Sequence, residues 1–315
     1  MTELAPIVLF TYKRVDTLIK TIEALQRNHL ALGSDLYIFS DAAKGIHDQE
    51  MVSEVRKYIH SISGFKTIKI YESNINKGLA SSIINGVSEV MKKYEKVIVL
   101  EDDLVTSSNF LDFMNTSLVS YESNQKVFSI SGYGLHVRLP ENYEYDVYFT
   151  PRGMSWGWAT WRNRWEGVDW ELKDFKNFVS SKTERRRFAI GGSDLNDMLQ
   201  RQVDGKIDSW AIRWYFDQFK KKQLTLYPIK SKVKNLGFDE MATHTNAYNR
   251  YKILFDDSNK REYLFETDVK INPVIFKSFK SYFGFFSRIF YGRIVSPIFR
   301  KKQFFLTYFN KKNLK

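Results

Sequence analysis

The sequence predicts an α/β protein built on a parallel sheet, and three observations predict it. First, short aliphatic runs alternate four times with amphipathic helical segments over residues 6–100. That is the pattern of βαβ units with right-handed crossovers. Second, the run KVIVL at residues 96–100 is aliphatic or β-branched almost throughout, as a strand covered on both faces must be. Third, the polar residues of this half gather where the runs end. Lys13 and Arg14 follow the first, Asp41 the second, Lys77 and Gly78 the third, and Glu101, Asp102 and Asp103 the fourth. In a parallel sheet those points share one edge, and open α/β sheets bind ligands outside the carboxyl ends of their strands.

Each element has its own signal. Residues 6–10 (PIVLF) form the first strand and end in Thr11, Tyr12, Lys13 and Arg14. The next segment carries Val15, Leu18, Ile19, Ile22 and Leu25 at three- and four-residue steps, one face of a helix. Residues 35–39 (DLYIF) are the second strand, residues 48–59 the second helix and residues 67–71 the third strand. Asn76, Lys77 and Gly78 open a helix over residues 79–93, which leads to the fourth strand. Residues 127–131 and 146–150 read as strands that complete a mixed sheet.

The fourth strand runs into three adjacent carboxylates. Like charges repel and desolvation disfavours each charged form, so the site calls for a positive partner. A divalent cation with oxygen ligands supplies it; the plainer alternative is a solvated strand-to-loop junction. Bases, a glycine at a helix start and an acid cluster on one edge are the parts that hold a nucleotide diphosphate. Neither GxGxxG nor GxxxxGK[ST] occurs in the required place, so a dinucleotide fold and a P-loop are not supported.

Composition bounds the rest. The 315 residues, 43% hydrophobic, suffice for one large domain or two fused ones. The absence of cysteine excludes a disulfide scaffold and a thiolate metal site and favours a reducing compartment. No apolar run is long enough to span a bilayer, and residues 1–6 are too short for a signal peptide and carry no Lys or Arg. The net charge of +12 points to anionic partners: nucleotides, nucleic acid or a membrane surface.

Seven stretches, in order, carry a resemblance. They are FTYKR (10–14), IFSDAAKG (38–45), NINKGLASSIINGV (74–87), VIVLEDDLVTSSNFLDFM (97–114), SWGWATW (155–161), DSWAIRW (208–214) and VKNLGFDEMATHT (233–245). Together they resemble GT-A-fold glycosyltransferases, near bacterial relatives of the N-acetylglucosaminyltransferase I group. EDD alone is a weak signal; EDD after a fourth hydrophobic strand, followed by SWGWATW and DSWAIRW, is far more specific. The resemblance implies a GT-A, Rossmann-like nucleotide-diphospho-sugar transferase fold with a mixed sheet and flanking helices. It covers roughly residues 5–247 and leaves the carboxyl-terminal part uncovered.

The resemblance also implies roles. Asp103 would coordinate a Mn2+ or Mg2+ ion bound to the donor diphosphate. Glu101 and Asp102 would orient the ribose and the metal shell. Asp41 would face the nucleotide base, Arg14 would approach the diphosphate, and Thr11, Lys77 and Gly78 would line the nucleotide pocket. Inverting transfer needs a carboxylate to take the acceptor proton. Asp208, at the start of DSWAIRWYFDQF, is the implied base, ahead of Asp204 and Asp217, although an Asp there is also an ordinary helix cap. His244 is a candidate further metal ligand or phosphate contact, against a structural or solvated role. Trp156, Trp158, Trp161 and Trp165 read mainly as core, with one expected to face a sugar.

The tail is a different object. Residues 276–315 hold ten Lys or Arg, no Asp or Glu, and thirteen Phe or Tyr. Such a mixture suits a membrane interface, single-stranded nucleic acid, or a helical pair packed on the domain; the dominance of Phe favours membrane over nucleic acid. Pro297 is expected to break any helix there. The expected organisation is a catalytic domain over residues 1–250 and a basic, aromatic-rich helical extension over residues 251–315. The expected protein is a metal-dependent inverting glycosyltransferase using a nucleotide sugar, a UDP-sugar first. Its acceptor would be a surface-glycan or lipid-linked hydroxyl at the cytoplasmic face of a bacterial membrane. The rivals are a nucleotidyltransferase, a nucleic-acid-binding protein using the tail, and a non-catalytic glycan-binding module.

Overall fold

A computed structural model describes residues 3–237 and 251–290. Three βα units and a fourth strand come first: β1 (Ile7–Thr11), α1 (Val15–Gln26), β2 (Asp35–Ser40), α2 (Gln49–Ile59), β3 (Thr67–Glu72), α3 (Leu79–Met91) and β4 (Lys96–Glu101). The strands align parallel in the order β3-β2-β1-β4, as the alternation predicted. Alternate side chains of β1 and β4 explain why both runs are apolar throughout. Ile7, Leu9, Ile98 and Leu100 enter one core with Leu18, Ile22 and Leu25 of α1. Val8, Phe10, Val97 and Val99 enter a second core with Ala80, Ile83 and Val87 of α3. A strand buried on both faces has no polar position to spare.

The chain continues through β5 (Leu104–Thr106), α4 (Phe110–Ser120), β6 (Val127–Ser131), β7 (Val147–Thr150) and β8 (Trp158–Trp161). Short helices α5 (Arg162–Trp165), α6 (Phe175–Ser180) and α7 (Lys182–Phe188) follow, then α8 (Leu195–Val203), α9 (Trp210–Lys220), β9 (Leu224–Pro228) and β10 (Val233–Asn235). The finished sheet has eight strands in the order β3-β2-β1-β4-β8-β6-β9-β7. It is mixed, because β8 is antiparallel to both β4 and β6, and β7 is antiparallel to β9. The expected mixed α/β sheet with flanking helices is present. The strands at 127–131 and 147–150 fall where the alternation placed them, while β5, β8, β9 and β10 were not foreseen. β8 hid inside a tryptophan run, β9 ends in proline, and β5 and β10 are three residues each.

That tryptophan run is mostly core. Trp158, Trp161 and Trp165 are buried. Trp158 packs against Trp210 and Trp214 of α9 with ring centroids 5.1 and 4.5 Å apart. The tryptophans therefore clamp α9 across β8 and so hold it against the β4 side of the sheet. One boundary shifts: α9 starts at Trp210, and the capping oxygen is Ser209 Oγ, which accepts from the Ile212 N–H. Asp208 lies one residue before the cap. A serine hydroxyl satisfies the free amides of the first turn without holding a carboxylate in place.

From residue 251 onward the described chain packs on the same domain. Lys232, buried just before β10, pairs with buried Asp256, and Ser231 bridges Phe255. Helix α10 (Pro273–Phe283) is capped by Asn272 and buries Ile275, Phe279 and Phe283. Phe279 packs on Tyr227 of β9 and Tyr148 of β7, covering the far end of the sheet. Helix α11 (Phe285–Ile289) follows. No described helix is long and apolar enough to cross a membrane. His244, Pro297 and most of the basic tail lie outside the described residues.

Candidate active site

In this sheet α1 carries the chain from β1 to β2 on one side, and the return to β4 lies on the other side of β1. The strand order reverses between β1 and β4, and such a switch point opens a crevice at the carboxyl ends of the strands. Both strands end there in chemistry. β1 delivers Thr11, Tyr12, Lys13 and Arg14; β4 delivers Glu101, Asp102 and Asp103; Phe10 pairs with Glu101 across the two.

β4 ends at Glu101, the chain turns at Asp102 and Asp103, and the two carboxylates part there. Asp102 turns inward. Its Oδ2 accepts from Thr11 Oγ1 at 2.9 Å and from the Tyr12 N–H at 3.0 Å, and its carbonyl accepts from Thr21 Oγ1. Asp103 turns toward Arg14, whose Nη1 donates to Asp103 Oδ2 at 3.1 Å. A positive charge therefore stands beside the acid cluster, as like-charge repulsion requires. Burial, followed by the Asp103 charge, pushes Asp102 up to about 6. Burial and then Asp103 and Asp102 push Glu101 well above the ordinary carboxylate range. The cluster is short of positive charge even with Arg14 in place.

The second wall is the β5–β10 ribbon, in which Asn235 pairs with Leu104 and the Leu236 N–H donates to the Asp103 carbonyl at 2.8 Å. Gly237 follows, and a Cβ there would collide with the Asp103 carboxylate. Only glycine lets this backbone reach the acid. The glycine of NLGF was a signal the sequence offered and the reading left unused.

Asp41 and the start of α3 make the third wall. Both carboxylate oxygens of Asp41 are engaged. Oδ1 accepts from the N–H groups of Ala42 and Lys77 at 2.9 Å, and Oδ2 accepts from the Gly78 N–H at 2.9 Å. Asp41 thus ties the end of β2 to the loop that opens α3. Lys77 and Gly78 contribute through backbone amides, with the Lys77 side chain exposed and Gly78 at φ +74°. The end of β1 carries a further lock. Tyr12 donates from its hydroxyl to Asp48 Oδ2 at 2.6 Å and accepts from the Lys44 N–H, while Lys13 pairs with the other Asp48 oxygen. Burial and that hydrogen bond push the Tyr12 hydroxyl up to about 12.

Opposite these walls stand α9 and the loop before β8. Tyr215 of α9 lies within the electrostatic reach of Glu101, two helical turns beyond Asp208. Asp208 itself is 62% exposed and pairs with Arg213 Nη2 at 3.0 Å. Its carboxylate is accessible. Asp204 pairs with Lys206 and Asp217 with Lys221. Of the four tryptophans of the run, only Trp156 keeps partial exposure; it stands edge-on to Tyr133 and Tyr251.

The structure therefore brings Thr11, Arg14, Glu101, Asp102 and Asp103 into one cluster, with Asp41, Lys77 and Gly78 in the adjoining wall and Asp208 just before the flanking helix. His, Cys, Asp and Glu side chains do not converge in threes anywhere among the described residues in a way that could hold a metal. The donor set fits a Mg2+ or Mn2+ ion held by one carboxylate, Asp103, together with a substrate's phosphates, rather than one held in a protein cage.

No protein-family model and no curated protein matches the chain. Solved structures do. The mannosyltransferase PcManGT from Pyrobaculum calidifontis, in complex with GDP-Man and Mn2+, is similar over 53% of this chain and 48% of its own, at 12% identity and a TM-score of 0.36. S. aureus TarS 1–349 in complex with UDP is similar over 73% of this chain and 59% of its own, at 9% identity and a TM-score of 0.41. A UDP-glucose pyrophosphorylase complexed with UDP-glucose is similar over 73% of this chain and 92% of its own, at 12% identity and a TM-score of 0.38. The chain thus spans about half of the first and under two thirds of the second.

Proposed function

We propose that this chain is an inverting, metal-dependent glycosyltransferase that uses a nucleotide sugar, a UDP-sugar first, to glycosylate a hydroxyl of a surface glycan or lipid-linked acceptor. The observation that carries the reading is the pairing of Arg14 with Asp103 at the β1–β4 switch point. It sets a guanidinium and a carboxylate side by side at the mouth of the sheet, which supports a diphosphate contact for the first and an oxygen ligand for the second.

In this reading the nucleoside diphosphate lies across the carboxyl ends of β1, β2 and β4. Thr11 and the Tyr12 amide hold Asp102 in place, so that Asp103 stays turned to the crevice. Asp41 fixes the loop that lines the nucleotide side. The acceptor enters from the Trp156 and α9 side. Asp208 takes the acceptor proton as its oxygen forms the new bond to the anomeric carbon. The bond from that carbon to the diphosphate oxygen breaks with inversion. Asp103 would hold a Mn2+ or Mg2+ ion, which would supply charge neutralisation for the departing diphosphate.

The test is a donor screen with manganese, scoring nucleoside diphosphate release from UDP-, GDP- and dTDP-sugars. Slow hydrolysis of one donor is expected. In Asp103→Ala it should fall by about a hundredfold or more, since loss of one charge-stabilising group costs roughly that much. Asp208→Asn should retain donor binding and lose transfer. Release of pyrophosphate instead would identify a nucleotidyltransferase. If calorimetry detects no nucleotide binding with or without metal, the reading is wrong.

A further inference from the structure

The most exposed large apolar side chains near the described carboxyl-terminal end are adjacent. Phe285 is 60% and Phe286 87% exposed, on α11, a helix with no buried residue. The helix is nonetheless anchored. Gly284 follows the buried Phe283, and Arg288 Nη1 donates to Ser193 Oγ at 3.2 Å. The aromatic pair is therefore displayed from a fixed base. The chain that carries it is basic. Residues 270–290 contain Lys270, Lys277, Lys280 and Arg288 and no Asp or Glu. Lys277 and Lys280 are exposed, on the opposite side of α10 from its buried stripe.

This surface is also joined to the candidate site. Trp156 packs on Tyr251 at 5.4 Å, Tyr251 packs on Phe283 at 5.6 Å, and Arg152 lies over the Phe283 ring at 4.0 Å while paired with buried Asp194. Two ring contacts and one glycine thus separate the exposed phenylalanines from the one accessible tryptophan of the 155–165 run.

We propose that the Phe285–Phe286 face docks on an anionic lipid surface. Phenylalanine partitions into the headgroup boundary, and lysines beside it reach anionic headgroups with their stems along the apolar layer. A protein partner matched to this face would have to supply acids around an apolar pocket; a bilayer supplies both everywhere. Resting on the transferase reading, the placement beside Trp156 means that a membrane-borne acceptor meets the crevice from its acceptor side.

The experiment is co-sedimentation of the full chain with vesicles of phosphatidylcholine alone and of phosphatidylcholine with phosphatidylglycerol, at low and high salt. Binding to the anionic vesicles, weakened by salt, is expected. Phe285→Ser/Phe286→Ser should lower partitioning by about tenfold, in line with the apolar area withdrawn. Lys277→Glu/Lys280→Glu should lower it and flatten its salt dependence. Both variants should melt like the wild type and hydrolyse donor normally without vesicles. Asp103→Ala should bind vesicles like the wild type whether or not any donor is hydrolysed, which separates this proposal from the transferase reading. Two outcomes overturn it: a phenylalanine-pair variant that partitions like the wild type, or a chain that binds single-stranded RNA but not anionic vesicles.

Discussion

Asp102 and Asp103 are neighbours in sequence with opposite tasks. The turn between β4 and β5 directs one toward Thr11 and the Tyr12 amide and the other toward Arg14. That an acid at this place matters was legible from the KVIVLEDD run; which acid faces which way was not, because it depends on the partners that β1 brings. The same holds for Asp41, whose amide partners at Lys77 and Gly78 lie 36 and 37 residues away. A pH dependence follows from the buried pair. Asp102 is pushed from 3.8 up to about 6, and Glu101 is also raised. Between those values the folded state holds more protons than the unfolded chain, so folding weakens as pH rises through that window. In metal-free thermal melts the wild type should lose Tm relative to Asp102→Asn from pH 4 to about pH 6.5. Parallel pH profiles for the two proteins would contradict the assignment.

At the scale of elements, the β5–β10 ribbon and the segment after it decide the shape of the site. Three-residue strands have no periodicity to read, and the ribbon exists because Val233, Lys234 and Asn235 find Thr106, Val105 and Leu104. It is braced by the ion pair of Lys232 with Asp256, which Ser258 and Asn109 also hold by hydrogen bonds. Lys232 lies between the rings of Phe113 and Tyr263. Breaking a buried pair from one side leaves an uncompensated charge. Lys232→Met should therefore cost about 3 kcal/mol of stability in a chemical denaturation curve, whereas the double change Lys232→Met/Asp256→Leu should recover most of it. Equal losses in both would show that the pair does not act as a unit.

For the whole molecule, residues 251–290 are part of the architecture. The apolar stripe of α10, Ile275, Phe279 and Phe283, enters the same core as Tyr148 and Tyr227. The basic, aromatic composition suggested an extension; composition cannot tell an aromatic that faces lipid from one that faces the sheet. We expect one cooperative thermal transition, with Phe279→Ala lowering it by about 3–5 kcal/mol and leaving it single. A separate early transition in that variant would mean that residues 251–290 fold as a unit of their own.

What the sequence determined by itself is local. Aliphatic runs covered on both faces, helices with a three- and four-residue stripe and polar strand ends specify the parallel half-sheet and the edge where its chemistry gathers, because those signals are carried by neighbouring residues. What only the tertiary structure decided is long-range. The antiparallel insertion of β8 beside β4, the tryptophan clamp on α9, the approach of Gly237 to Asp103 and the capture of α10 by β7 and β9 all join residues far apart in the chain. Their partners are chosen by which surfaces remain uncovered once the first half has folded, and no periodicity in the sequence records that choice.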